Sequence, residues 1–156
     1  MPPPPLQGIR VLEVGNYMAG PFCGMQLADL GADVVKVEDP RGGDLSRRLE
    51  PLVDGESGNF IRLNRGKRSV ALDLKQDAGA EIFQRLAERA DVVVESFAPG
   101  TLDRLGCGWA FVQAVRPSLP LVSISNFGQD GPYRDYKGSE LVLYGFGGEM
   151  YSMGLT

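Results

Sequence analysis

One feature constrains the fold of this 156-residue chain more than any other: a strand, a glycine-rich turn, a helix and a second strand follow one another near its start. Residues 9–14 are apolar enough for a buried strand, and a turn follows from Gly15 to Gly20. Pro21 suits the first turn of a helix that runs to Leu30 and ends at Gly31. Residues 33–38 form the second strand. Such a β-α-β unit places its two strands parallel.

The same alternation returns after a polar, glycine-rich stretch at residues 39–68, which shows no clear periodicity. A stretch of that length is more often functional than accidental. The further expected strands are 70–74, 91–95 and 121–125; the expected helices are 76–89, 101–105, 109–115 and a helix-like segment at 141–146 that Glu140 begins. The helix at 76–89 is expected to bury Ile82, Phe83, Leu86 and Ala87. The predicted fold is therefore α/β, with a doubly wound parallel sheet flanked by helices.

Composition removes several classes of function. Hydrophobic residues make up 43% and charged residues 23%, which is typical of a soluble globular domain, and the net charge of −4 argues against nucleic-acid binding. The sequence has no histidine, so Ser-His-Asp triads and histidine-containing metal sites are excluded. Cys23 and Cys107 lie far apart and are best interpreted as core residues, and no metal site is expected. Without an apolar run of roughly 18 residues, we expect no membrane span and a cytoplasmic location.

Three features could bind a phosphorylated ligand, and each has a purely structural alternative. Gly15, Gly20 and Gly24 follow the first strand, and Glu38 ends the second strand where dinucleotide enzymes hold a ribose hydroxyl. Their spacing is neither G-x-G-x-x-G nor a P-loop, so tight packing explains the glycines equally well. The cations at 64–68, like Arg47 and Arg48, suit phosphate but also suit a solvated turn. The loop at 127–132 is placed where α/β sheets bind ligands, but its residues taken alone indicate only a turn.

Glu140 is the one acidic residue that we single out as a candidate acid or base. It begins an apolar helix-like segment and could be partly buried, and buried carboxylates have raised pKa values. More often, an acidic residue at the start of a helix complements the helix dipole.

A long, ordered series of short motifs resembles the class III CoA-transferase family, which includes formyl-CoA transferases, carnitine CoA-transferases and α-methylacyl-CoA racemases. Each motif alone is weak, but their agreement in order from Leu6 onward is specific. The matching segments are 6–13 (LQGIRVLE), 19–21 (AGP), 27–38 (LADLGADVVKVE), 42–44 (GGD), 63–69 (LNRGKRS), 72–75 (LDLK), 90–95 (ADVVVE), Phe97, 99–100 (PG), 105–106 (LG) and 127–133 (FGQDGPY).

The resemblance implies a Rossmann-like large domain that binds CoA, and a homodimer of interlocked chains in full-length members. It also implies covalent catalysis: an aspartate attacks an acyl-CoA thioester, and CoA then passes through an enzyme thioester to an acceptor carboxylic acid, without histidine or metal. The absence of histidine weighs against the racemase branch, because its histidine would fall at Ser139. The family's nucleophilic aspartate would fall beyond Thr156, so no catalytic residue is assigned within this chain. The resemblance matches Glu140 to an acidic position close to the active site, which implies a local polar role for it and not the nucleophilic one.

The resemblance also carries a set of cofactor-binding residues onto this sequence. Tyr17, Met18 and Ala19 match the loop beside the thioester end of CoA, where Met18 replaces a glutamine. Asp39 replaces an arginine found near the adenine end, and Ser96 replaces the commoner asparagine. The remaining positions on segments that border the cofactor are Leu72, Lys75, Phe97 and Arg104.

The expected organisation is a disordered proline-rich lead at residues 1–5, followed at 6–156 by the N-terminal part of a large domain. The small domain and the returning C-terminal segment would lie outside the sequence. The expected function is therefore the CoA-binding part of a CoA-transferase of acyl-CoA metabolism, inactive alone. Two alternatives stay open: a non-catalytic nucleotide- or CoA-binding module, and a fragment of an α-methylacyl-CoA racemase-like enzyme.

Overall fold

The computed structural model describes residues 2–153 and contains a five-stranded, fully parallel sheet. The sheet strands are β1 (Arg10–Val14), β2 (Asp33–Glu38), β5 (Lys67–Ala71), β6 (Val92–Glu95) and β7 (Leu121–Ser123), in the spatial order β5-β2-β1-β6-β7. Each neighbouring pair in this order is parallel. The predicted α/β class with a parallel sheet flanked by helices is confirmed.

The helices connect the strands and cover the sheet. They are α1 (Ala19–Asp29), α2 (Gly58–Asn64), α3 (Asp77–Arg89), α4 (Thr101–Arg104), α5 (Trp109–Val115), α6 (Glu140–Phe146) and α7 (Glu149–Ser152). Most boundaries lie within two residues of the predicted ones. The strand predicted at 70–74 instead begins at Lys67, and Ile82 is 43% exposed although we expected it in the core. Phe83 and Ala87 of the same helix are fully buried.

The core has one layer on each side of the sheet, because neighbouring residues of a strand point to opposite faces. On one face, Leu12 and Val14 pack in a cluster with Phe83 of α3 and Val112 of α5. On the other face, Val11 belongs to a smaller cluster that also contains Val34 and Val94 and is packed against by α1 side chains. This two-layer burial fixes the register of the sheet and with it the positions of the loops at the carboxyl ends of the strands.

The stretch at 39–66, for which the sequence suggested no secondary structure, is ordered into short elements. A 3₁₀ turn at Leu45–Arg48 is followed by a small antiparallel hairpin, β3 (Leu52–Val53) and β4 (Glu56–Ser57), and then by α2. Asp54 and Gly55 between the two strands both have positive φ, at 52° and 82°. That conformation defines a type I′ turn, for which Asp-Gly is a preferred pair.

The ends of the described chain lie against the fold in different ways. A Cβ at Gly31 would overlap the Pro4 side chain, so the proline tract touches the domain at its last residues. At the other end, α6 and α7 bury none of their residues. Phe146 of α6 makes an edge-to-face contact with Phe127, with ring centroids 5.4 Å apart. The predicted helix beginning at Glu140 is confirmed.

Candidate functional site

A large cleft lies where the order of the sheet reverses. β1 and β6 are neighbours, but their outgoing connections leave toward opposite edges of the sheet, and α/β folds bind ligands at such points. The cleft has a volume of about 640 Å³ and is lined by Ala19 and by residues 96–99, 124–127 and 134–138. We call it the main cleft.

A smaller pocket of about 140 Å³ opens beside the main cleft at the carboxyl ends of β1, β2 and β5; we call it the β2 pocket. Its walls are Val14, Asn16, Val37, Glu38, Asp39, Arg41, residues 72–75, Phe97 and Leu105. Phe97 lines both cavities. The two cavities therefore share one wall residue.

The predicted cofactor-binding residues divide between these two cavities. Ala19, Ser96 and Phe97 line the main cleft, and Asp39, Leu72 and Lys75 line the β2 pocket together with Phe97. Tyr17 and Met18 precede Ala19 and are 43% and 48% exposed. Arg104 lines neither cavity: it is exposed, and its guanidinium donates to the Thr101 hydroxyl. The structure thus places six of the nine predicted residues in the walls of the two cavities, and Tyr17, Met18 and Arg104 line neither.

The loop that carries Tyr17 has an unusual backbone, with Tyr17 at φ 73° in the left-handed region. Its N–H donates a hydrogen bond of 3.0 Å to the carboxylate of Asp44, which is completely buried. Burial acts to raise the pKa of Asp44, but contacts with Lys36 and Ser46 outweigh it and lower the pKa below its ordinary value. Asp44 is therefore held as an anion under this loop.

Gly15 and Gly20 allow the loop to lie close to the start of the β6–α4 connection. A Cβ at either position would lie 2.5 Å from the Ser96 hydroxyl oxygen. At Gly24, a Cβ would overlap the Glu13 carboxylate. The structural interpretation of these three glycines, close packing, is thus the one that the contacts support.

Glu38 does not have the free oxygens that ribose recognition needs. Its Oε1 accepts from the Ser69 hydroxyl at 2.6 Å and from Arg47 at 2.8 Å. Its Oε2 accepts from a second Arg47 nitrogen and from the Asp44 N–H, both at 2.8 Å. These contacts argue against the dinucleotide interpretation of Glu38.

The cations at 65–68 are engaged in contacts within the protein. Arg65 pairs with Asp29 and Arg68 pairs with Asp33. The Lys67 ammonium is buried and contacts Glu13, the Pro21 carbonyl and the Asn64 side chain. Burial lowers the pKa of Lys67, and Glu13 only partly offsets that effect. This cluster stabilises the fold instead of forming a phosphate site.

Glu140 occupies the first turn of α6 and is exposed, so the expectation of a partly buried carboxylate is wrong. Ser139 caps the same helix by accepting from the Val142 N–H at 3.4 Å. An acidic side chain in a first helical turn complements the helix dipole, which is the role that the exposed position fits.

Sequence reasoning missed three cations that border the cavities. Arg41 lines the β2 pocket and forms a bidentate pair with Asp39, with contacts of 2.9 and 2.6 Å. This pairing with Arg41 lowers the pKa of Asp39. Arg134 and Lys137 line the main cleft. The sequence contains one indication that Arg41 borders a cavity, because Arg41 follows the predicted site residue Asp39 by two positions. It contains none for Arg134 and Lys137, because the path of their loop cannot be read from the sequence.

Other kinds of site are not seen in residues 2–153. No group of three or more Cys, Asp or Glu side chains there could hold a metal ion. Burial raises the pKa of the Cys23 thiol and raises that of Cys107 to about 11, so neither is an activated nucleophile. None of the helices described above is both long and apolar enough to cross a bilayer.

Comparison with known proteins agrees with this architecture. The family description "CoA-transferase family III" matches residues 6–156. The chain is 41% identical over 152 residues to a succinyl-CoA–L-malate CoA-transferase beta subunit of Chloroflexus aurantiacus, covering 97% of this chain and 38% of that protein. It is 43% identical over 154 residues to a succinate–glutarate CoA-transferase of Agrobacterium fabrum, covering 94% of this chain and 38% of that protein.

Solved structures give the same result. A CaiB/BaiF family protein from Brucella suis superposes with a TM-score of 0.87 at 42% identity, over 94% of this chain and 40% of that one. A protein from Mycobacterium tuberculosis superposes with a TM-score of 0.88 at 38% identity, over 100% of this chain and 43% of that one. The chain spans 38% of the length of the first curated relatives that it matches. It belongs to the CoA-transferase family III.

Proposed function

We propose that this chain is the CoA-binding part of a cytoplasmic enzyme that transfers CoA from an acyl-CoA thioester to a carboxylic acid. The observation that carries the proposal is family membership across residues 6–156, with relatives that are named CoA-transferases. In this proposal residues 1–5 form a proline-rich lead, residues 6–156 form the N-terminal part of a large domain, and the whole enzyme is a homodimer.

Both cavities have cations in their walls, beside the carboxylates of Glu38, Asp39 and Asp73 in the β2 pocket and of Asp135 in the main cleft. Lys75 and Arg41 line the β2 pocket, and Arg134 and Lys137 line the main cleft. Phosphate groups pair well with Lys and Arg, and the apolar parts of CoA suit walls such as Phe97. We assign the nucleotide end of CoA to the β2 pocket and the thioester end to the main cleft, beside residues 17–19.

The proposed chemistry is nucleophilic catalysis by a carboxylate. An aspartate oxygen attacks the acyl carbonyl and the thiolate of CoA leaves, giving a mixed anhydride. The thiolate then attacks the aspartyl carbonyl, which releases the first acid and forms an enzyme thioester. The acceptor carboxylate attacks that thioester, and the released thiolate collects the new acyl group from the resulting anhydride. By the family resemblance the aspartate lies beyond Thr156, so the residues of this chain bind and orient CoA.

Two observations favour CoA transfer over the alternatives. The oxygens of Glu38 are occupied by Arg47, Ser69 and Asp44, which argues against an NAD-type site. The residue before Glu140 is Ser139, whose hydroxyl caps α6, and the sequence has no histidine for the proton transfers of a racemase.

Calorimetric titration of the 156-residue chain with CoA tests the proposal. We expect saturable binding of one CoA per chain, weakened about tenfold by Lys75→Ala or Lys137→Ala through the loss of a phosphate partner. Arg85→Ala is the matched control, because Arg85 is an exposed cation on α3 that lines neither cavity. We also expect no acyl transfer by this chain.

Three results would contradict parts of the proposal. Saturable binding of NAD without binding of CoA would replace it with the nucleotide-module alternative. Equal weakening by Arg85→Ala would show that overall charge, and not the two cavities, governs binding. Acyl transfer by the purified chain would refute the assignment of the nucleophile to a position beyond Thr156.

A further inference from the structure

Four buried charged side chains form a continuous chain beneath the loop between β1 and α1. Lys36 lies 2.7 Å from Asp44 and 2.8 Å from Glu13, and Glu13 lies 2.7 Å from Lys67. The side chains are between 0% and 2% exposed. We call Asp44, Lys36, Glu13 and Lys67 the buried charge chain; its formal charges cancel.

The buried charge chain also binds the loop backbone at three points. The Lys36 ammonium donates to the Gly15 carbonyl at 2.9 Å, and the Lys67 ammonium donates to the Pro21 carbonyl at 2.7 Å. Between these two points, the Tyr17 N–H donates to the Asp44 carboxylate at 3.0 Å. The attachments fall at the start, the middle and the end of the segment 15–21, so its path is fixed along its whole length.

The conformation held in this way is unfavourable for the residue that adopts it. A non-glycine residue in the left-handed region costs about 1–2 kcal/mol, and such strain persists only when the surroundings impose it. Tyr17 is 43% exposed, so its ring is only partly buried. The contact from Asp44 is the interaction that holds the Tyr17 backbone.

A contribution to global stability does not by itself explain the buried charge chain. Buried ion pairs can often be replaced by apolar residues with no loss of stability, because removing the charges from water is costly. The three loop attachments point to a different role, because an apolar replacement could not make them. The loop is also the part of the fold that leads from the buried charge chain to the main cleft, through Ala19.

We propose that Asp44 is a positioning residue: its carboxylate holds Tyr17 in the left-handed conformation and so presents residues 17–19 to the thioester end of CoA. This inference rests on the proposed function, since it takes CoA as the ligand. Lys67 holds the far end of the same loop at Pro21.

The test compares two double variants of the 156-residue chain. Lys36→Met with Asp44→Asn and Lys36→Met with Asp44→Leu carry the same net charge, but only the asparagine offers an oxygen to the Tyr17 N–H. We expect the leucine variant to exchange the Tyr17 amide proton at least about tenfold faster than wild type and to bind CoA about tenfold more weakly. We expect the asparagine variant to stay within about threefold of wild type in both measurements.

Val112→Ala is the control for a general loss of stability, because Val112 is fully buried in α5 and distant in sequence from the loop. All variants are compared at the same temperature interval below their own unfolding midpoints. Under that condition we expect Val112→Ala to leave both CoA affinity and the exchange of the Tyr17 amide unchanged. If it reproduces the effects of the leucine variant, the role of Asp44 is structural and the inference is wrong.

The two measurements separate this inference from the proposed function. Absence of CoA binding by wild type would refute the proposed function, while the Tyr17 exchange rate would still decide whether Asp44 holds the loop. An unchanged exchange rate in the leucine variant would overturn the positioning role. A faster exchange rate with unchanged CoA affinity would show that the loop is held but does not contact CoA, which also overturns it.

Discussion

Glu38, the last residue of β2, forms a two-pronged pair with Arg47, in which each carboxylate oxygen accepts from a different guanidinium nitrogen at 2.8 Å. The Glu38 side chain is 3% exposed, whereas that of Arg47 is 40% exposed. Arg47 in turn lies over the Phe60 ring, with its central carbon 3.7 Å from the ring centroid. The pair therefore connects the sheet to the 3₁₀ turn and to α2.

This pair predicts a specific dependence of stability on pH. Burial acts to raise the pKa of Glu38, but hydrogen bonds from Arg47, Ser69 and the Asp44 N–H lower it from 4.5 to about 2. Because the folded pKa is depressed, the stabilisation is complete above about pH 4.5 and is lost as the pH falls toward 2. Glu38→Gln should lower the free energy of unfolding at pH 7 by about 2 kcal/mol. In this variant the free energy of unfolding should also fall less steeply as the pH is lowered from about 4.5 to about 2.

Urea unfolding of both proteins across that pH range measures this effect. Asp33→Asn is the matched control, because it breaks an exposed pair with Arg68 at the opposite end of the same strand. The control should cost less than about 1 kcal/mol at pH 7. Parallel pH profiles for wild type and Glu38→Gln would show that Glu38 does not contribute to the acid sensitivity.

The sheet could be predicted because its strands depend on local patterns. Val11, Val34 and Val93 belong to short apolar segments bounded by glycine or by charged residues, and burial on both faces requires such segments. β5 was predicted three residues late because Lys67 and Arg68 are polar. The Lys67 ammonium can be buried because Glu13, the Pro21 carbonyl and Asn64 contact it, and sequence proximity does not reveal Glu13 as a partner.

The candidate site could be predicted only in part, for the same reason. The residues that line the cavities were largely found through the family motifs, but the buried charge chain beneath the loop was not found. Tyr17 and Asp44 are 27 positions apart, and neither residue type suggests a left-handed backbone held by a carboxylate. By contrast, the turn at Asp54 and Gly55 can be predicted locally, because adjacent Asp and Gly residues favour a hairpin turn with positive φ.

The hairpin turn gives a test of backbone conformation alone. Gly55 has a φ of 82°, and a Cβ added there would meet nothing within 4 Å. Gly55→Ala should therefore cost about 1 kcal/mol through the strained backbone, without any steric clash. Thermal unfolding of the variant measures the change.

The control for this prediction is Gly58→Ala at the start of α2. Gly58 does not have a positive φ, and an added Cβ would lie 3.8 Å from the Pro51 carbonyl oxygen, an ordinary contact. Because alanine restricts the unfolded chain and favours helix, Gly58→Ala should stabilise the protein by about 0.5 kcal/mol. Equal effects from the two substitutions would contradict the role of the left-handed turn.

The thiol of Cys107 should be inert in the folded protein. It is fully buried, and burial raises its pKa to about 11, so at pH 8 about one thiol in a thousand is ionised. Iodoacetamide at pH 8 should leave Cys107 unmodified until denaturant unfolds the chain, as read by peptide mass spectrometry. Modification of Cys107 at the same rate before and after unfolding would show that the site is open to solvent.

The close approach of Gly15 to Ser96 predicts a non-additive pair of substitutions. The Ser96 hydroxyl oxygen is buried and has no hydrogen-bond partner among residues 2–153, and it would lie 2.5 Å from a Cβ at position 15. Gly15→Ala alone should cost about 1–3 kcal/mol through overpacking, whereas Ser96→Ala alone should cost little or stabilise the protein. Without that oxygen, the nearest remaining atom to the new Cβ is the Ser96 nitrogen at 3.3 Å. The double variant should therefore recover at least about 1 kcal/mol, and a strictly additive cycle in urea unfolding would contradict the contact.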